Sequence, residues 1–245
     1  MEKLNFNQGD RPEKTNLGRR YASINLGGLK VLRENKVPEF KEFGEEFNNR
    51  LNVWAEFSPE TERAISQKII EPLEKIEKDF GLKMLLAIRD FQLHTSIMQG
   101  EFSDEENNKK IDEVFKNLTN RPELYDITSP IVKKSVNFKY LLIDKKGAII
   151  LTSTEIPEEI HSARSGISKN YISEGVKPIP IDILHITIAR IKEIPEENRL
   201  KILEELNRKI RELRHNISSD PIGAIIEKIN LAQGGVAKGG NTKPI

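Results

Sequence analysis

Leu93-His94-Thr95-Ser96-Ile97 and Leu184-His185-Ile186-Thr187-Ile188 repeat one pattern, a histidine and a hydroxyl residue two positions apart in an apolar frame. Side chains two apart on a β-strand share a face. Each segment therefore predicts a strand that holds an imidazole beside a hydroxyl while its aliphatic residues face a core. Only four histidines occur in the chain, and two of them sit in this pattern. The others, His161 and His215, are followed two positions later by Ala163 and Ile217, lack the spacing of a zinc pair, and read as surface residues.

The neighbouring sequence supports a repeat larger than the motif. Leu51–Phe57 reads as a strand ending at Ser58-Pro59, a cap and first-turn pair that opens a helix with Ile65, Ile69, Leu73, Ile76 and Phe80 on one face. Pro72 lies inside that helix and predicts a kink, and Gly81 closes it. Leu82–Ile88 and Phe91–Met98 follow as strands around Arg89-Asp90. Ser103 and Glu106 then form a capping box for a helix with Ile111, Val114, Phe115 and Leu118 as its apolar stripe. In the other half, Phe138–Asp144 and Ala148–Ser153 read as a hairpin around Lys145-Lys146-Gly147, with a helix over Pro157–Glu174 stopped by Gly175. The second motif strand, Ile181–Ile191, leads to a helix with Leu203, Leu206, Ile210 and Leu213 on one side, and Ile222–Leu231 is a last strand. Helix starts at Ser103 and near Ile194 fall the same nine residues after His94 and His185.

Two such strand–helix–strand–helix units predict an α+β fold: two pseudo-symmetric lobes of antiparallel sheet backed by helices, facing each other across a central cleft. Within it, residues 1–50 read as an amino-terminal arm with an extra strand at Tyr21–Leu26. Residues 51–130 form the first lobe, residues 131–232 the second, and residues 233–245 a flexible tail, with the turn-rich stretch Asn120–Pro130 as boundary. Arg19-Arg20 reads as a solvated pair. The Gly234-Gly235 and Gly239-Gly240 tail is no phosphate-cradling loop, because it does not follow a strand and open a helix.

Composition bounds the chemistry. The chain has 245 residues, 31% charged and 37% hydrophobic, no apolar run long enough to span a bilayer, and a polar amino terminus without the apolar stretch of a secretory signal; a monomer in the cytoplasm is expected. With no cysteine, disulfides, thiolate nucleophiles and cysteine-based zinc sites are excluded. A net charge of +1 gives little general attraction to nucleic acid, so phosphate binding must be local.

The two motifs resemble the signature of the two-histidine (2H) phosphoesterase superfamily, which contains RNA 2',5'-ligase-like enzymes and RNA 2',3'-cyclic phosphodiesterases. That signature is two copies of His-apolar-Thr/Ser-apolar, one per lobe, and here they stand as His94-Thr95-Ser96-Ile97 and His185-Ile186-Thr187-Ile188. The continuation Ala189-Arg190-Ile191 is similar to the "HLTLAR" form of bacterial RNA ligase-like members, and Gly100-Glu101 to their "GE" ending. Thr95 departs from the pattern by occupying a usually apolar position, and Ser96 replaces the commoner threonine. The resemblance spans Leu51 to Leu231.

It implies a metal-independent, cofactor-free phosphoesterase in which His94 and His185 divide acid and base roles and Ser96 and Thr187 hydrogen-bond the phosphoryl oxygens. Imidazoles titrating near neutrality would give a bell-shaped pH dependence. The implied partners are RNA ends or a small nucleotide, with 2',3'-cyclic phosphate as the substrate class. Arg190, three past Thr187, falls either at the strand end or on the opposite face, as a phosphate contact or a surface ion pair. Tyr140, Phe138 and Trp54 are aromatic candidates for stacking on a base; of these Phe138 and Trp54 fit core packing and Tyr140 fits substrate binding. Two alternatives stay open: hydrolysis of 2',5'-linked or cyclic oligonucleotide messengers, and a nucleotide-binding module without turnover.

Overall fold

A computed structural model describes residues 16–34, 50–102, 110–179, 181–234 and 241–245. Its strands are β1 (Arg50–Phe57), β2 (Lys83–Leu86), β3 (Thr95–Glu101), β4 (Ser135–Ile143), β5 (Ala148–Ser153), β6 (Lys177–Ile179), β7 (His185–Glu193), β8 (Ile222–Gln233) and β9 (Thr242–Pro244). Its α-helices are α1 (Asn16–Arg33), α2 (Pro59–Ile65), α3 (Glu71–Phe80), α4 (Ile111–Thr119), α5 (Pro122–Thr128), α6 (Glu158–Ser173) and α7 (Arg199–Ser219).

The strands run β2-β7-β5-β4-β8-β1-β3-β6, and every pairing between them is antiparallel. This is the expected α+β architecture, with β6-β3-β1-β8 as one four-strand half and β4-β5-β7-β2 as the other. The motif strands β3 and β7 occupy equivalent places. Each half lends a strand: β2, from the first half of the sequence, flanks β7, and β6, from the second half, flanks β3. Likewise β8, last of the long strands, pairs with β1. The lobes thus interlock across the expected boundary at residue 130. A single pairing, Thr95 with Ile186, joins β3 to β7 and closes the strands into a ring.

The apolar core lies outside this ring, between the sheet and helices α2 to α7, and takes in Leu29 and Leu32 of α1. It gathers Val53, Ile97, Phe138, Leu151, Ile186 and Ile188 with Leu73, Phe115, Ile167 and Leu206. Local chemistry explains the elements. Ser58 Oγ accepts from Thr61 N at 3.3 Å to cap α2, with Pro59 in the first turn. The helix does not simply kink at Pro72. One wide turn, Ser66–Ile70, intervenes, and Glu71 N donates to Ser66 O five residues back; proline's missing donor is accommodated without a break. Gly81, at φ 64, ends α3. The stripe of α4 is buried as expected, and the β4–β5 hairpin turns at Gly147, φ 74. The capping box at Ser103 and Glu106 lies outside the described residues.

Three expectations are corrected. Tyr21–Leu26 is no strand but the middle of helix α1, which reaches Arg33. The stretch Asn120–Pro130 holds helix α5, begun by Pro122 in its first turn, rather than only turns. In the tail, Thr242–Pro244 pairs with β8 as β9, while residues 235–240 lie outside the described residues.

Candidate active site at the seam of the two motif strands

Thr95 and Ile186 are fully buried on the outer, core side of the seam. Alternation then turns their neighbours His94, Ser96, His185 and Thr187 to the inner side, and all four are partly exposed. In antiparallel register across this pairing, His94 stands opposite Thr187 and Ser96 opposite His185. The pairing therefore brings together the four residues singled out by the motifs.

Each position has an identifiable anchor. A tight turn precedes the first motif: Asp90 Oδ2 accepts from Leu86 N and Asp90 N donates to Leu86 O, both at 2.8 Å, with Ile88 at a left-handed φ of 70. His94 lies just before β3, where its Nδ1–H donates to Gln92 O at 2.9 Å. That bond leaves Nε2 as the atom that exchanges protons. The Asn52 amide lies 3.2 Å from Ser96 Oγ, and Gln99 Nε2 donates to the same hydroxyl at 3.5 Å. Thr95 Oγ1 donates to His185 O at 2.8 Å and so pins the second histidine's backbone to the first motif. The departure at residue 95 has this structural use.

Burial pushes the imidazole pKa of His94 down, partly countered by its bond to Gln92 O, and the Arg190 charge lowers it further. His185 falls to about 4, chiefly through burial and then the nearby His94, with Arg190 and Arg164 adding and Asp144 opposing. The His185 ring is thus neutral at pH 7 in the free protein rather than poised near neutrality, and His94 is shifted in the same direction. Their mutual repulsion disfavours the doubly protonated pair, so a bound anion would draw in one shared proton first.

The position of Arg190 rests on a β-bulge. Ile150 pairs with Thr187 but Ile149 with Ala189, so Ile188 is an extra residue on β7. Parity shifts by one, and Arg190, opposite Ala148, returns to the face of Thr187. Tyr140 shares the row of His185 through Thr152, but its ring packs against Tyr21 with centroids 5.6 Å apart. Phe138 is outer core, edge-on to Phe57. Trp54 is only 1% exposed, yet lies on the inner face, where its ring meets His94 edge-on at 5.7 Å. His161 and His215 are exposed.

Sequence reasoning missed Arg164 on α6. Its Nε donates to Ile97 O at 2.8 Å, and its Nη2 is buried with no hydrogen-bond partner among the described residues. The guanidinium lies close enough to His185 to oppose its protonation. Only the register of β3 against α6 reveals this, because nothing local to residue 164 signals it.

Residues 150–223, from β5 through the second motif to the start of β8, match the family of LigT-like phosphoesterases. The second motif, His185-Ile186-Thr187-Ile188, falls within that match, and phosphodiester hydrolysis is the activity class that the match carries. No curated protein matches the sequence significantly. Among solved structures, the chain is similar to a conserved protein of unknown function from Agrobacterium tumefaciens strain C58 at 12% identity, TM-score 0.46, covering 83% of this chain and 92% of that one. Usb1 of Kluyveromyces marxianus gives 12% identity and TM-score 0.41 over 80% of this chain and 98% of its own. The MHV ns2 PDE domain gives 13% identity and TM-score 0.37 over 59% and 85%. No helix among the described residues is long and apolar enough to cross a membrane.

Proposed function

We propose that the protein is a metal-independent phosphodiesterase that hydrolyses 2',3'-cyclic phosphates at RNA ends or in small nucleotides, acting as a cytoplasmic monomer. The observation that carries this reading is the seam: one strand pairing sets two imidazoles and two hydroxyls on one face, with Arg190 turned to the same side by a bulge. His94 and His185 divide the proton transfers. One takes a proton from the attacking water as the new P–O bond forms, and the other gives a proton to the ribose oxygen as the old P–O bond breaks. Ser96 and Thr187 donate to the non-bridging oxygens, and Arg190 balances the charge that gathers there. Tyr140, in the row of His185, stacks on the base. This donor set, two imidazoles with two hydroxyls and a guanidinium, suits an anion rather than a cation.

The test is purified protein in EDTA with nucleoside 2',3'-cyclic phosphates, 2',5'-oligoadenylate and cyclic dinucleotides as substrates. Preferred turnover of the first class is expected. Strict dependence on an added divalent ion would overturn the mechanism, nucleotide binding without product would indicate a binding module, and preference for either oligonucleotide would move the substrate class.

A further inference from the structure

Helix α1 crosses the open edge of the second half: Tyr21 and Ile24 reach the inner face, while Leu29 and Leu32 join the main core. β4 pairs with β8 only from Ser135 to Phe138, so its later edge lacks a strand partner. α1 lies against that edge. Asn25 Oδ1 accepts from Ile143 N at 3.5 Å and from Arg214 Nη2 at 2.9 Å. Gly28 approaches so closely that a Cβ there would lie 2.1 Å from Ile143 O, a distance only glycine permits. Tyr21 OH donates to Ser153 O at 2.8 Å, and Arg20 pairs with Asp182 in the segment leading to His185.

These anchors place α1 beside the site. Thr187 stands next to Ile150 and Ile150 next to Leu142; His185 stands next to Thr152 and Thr152 next to Tyr140. All share the inner face, and Tyr21 packs on this surface with Leu142, Ala148 and Ile150. One strand away from Thr187 the surface is already closed: Ile150 is 4% exposed, Leu142 6% and Tyr21 itself 2%. An oligonucleotide running across the two histidines meets the helix as soon as it leaves β7.

We propose, building on the function above, that α1 is a substrate stop. It restricts the second-half side of the site to a single nucleotide, so the enzyme takes nucleoside 2',3'-cyclic phosphates and chain-terminal phosphodiesters and refuses internal linkages. The specificity is steric, set by a helix that makes none of the chemistry.

The experiment compares turnover of a nucleoside 2',3'-cyclic phosphate with cleavage at internal linkages of a 2',5'-oligoadenylate. The proteins are the wild type, Gly28→Leu and Asn25→Leu, with undocking of α1 checked by hydrogen exchange over residues 19–33. Tyr21→Ala, which keeps the Asn25 and Gly28 contacts, serves if the undocked variants fail to fold. Wild type should discriminate by about 10²-fold or more, and undocking should raise internal cleavage relative to the mononucleotide by about tenfold, with a smaller rise in Tyr21→Ala. A wild type inactive on every phosphodiester sinks the proposed function and this inference with it. A wild type active on the mononucleotide whose folded variants keep its ratio, or one that cleaves internal linkages equally well, sinks the inference alone.

Discussion

The two motifs are near-copies in sequence but live in different surroundings. The first is held by polar contacts: His94 by a backbone carbonyl, Ser96 by Asn52 and Gln99 from within its own half. Both motif strands have strand neighbours on each side, but the inner surface next to the second is sealed by α1. The chemistry is therefore close to two-fold symmetric while access to it is not. A pseudo-symmetric pair of histidines can accept a phosphodiester in two orientations, and the asymmetry of the walls selects between them.

The largest test of that comparison removes the rings. His94→Ala and His185→Ala should each lower turnover by roughly 10²-fold or more with the fold intact, and the double variant should be about as inactive as the worse single one. A variant that kept most of its activity would show that the halves are not partners. Next comes Arg190, whose charge opposes protonation of both imidazoles. Arg190→Met should reduce kcat/KM on the order of tenfold. It should also move the acid limb of the pH profile upward, because removing a cation raises an imidazole pKa. An unmoved limb would place the guanidinium away from the rings.

Thr95 tests the seam. Replacing its buried hydroxyl by valine's methyl should cost about 1 kcal/mol and lower Tm by about 2–4 °C, read by thermal unfolding. If the bond to His185 O positions the ring, kcat should fall severalfold while KM holds. Loss of stability alone would make the link merely structural.

Much of this was legible in the residues, and what was not has identifiable causes. The β4–β5 hairpin, the stripe of α4 and the sidedness of both motifs follow from periodicity and turn chemistry, which are local. Strand exchange is not local: nothing in Lys83–Leu86 says that it pairs with β7 rather than within its own half. The face of Arg190 depends on a bulge set by the register against β5. Helix α1 was misread because Ser23-Ile24-Asn25-Leu26 alternates as a strand would and Gly27-Gly28 reads as a break. Gly28 is instead the residue that lets a helix touch the Ile143 carbonyl.

The last test concerns acid stability, and it compares the halves directly. Burial pushes the His185 imidazole down to about 4 in the folded protein, from an ordinary 6.5. A depressed folded-state value means that the unfolded chain binds the proton more readily. The stabilisation is therefore complete above about pH 6.5 and is lost as pH falls toward 4. His94 is shifted in the same direction, with its bond to Gln92 O opposing the shift. Unfolding of His185→Phe in urea should therefore show a shallower loss of stability than wild type between those pH values, and His94→Phe should also flatten the curve. Parallel curves for wild type and His185→Phe would mean that the second ring is no more desolvated in the folded state than in the unfolded chain, and the sealed surface beside it would lose its physical consequence.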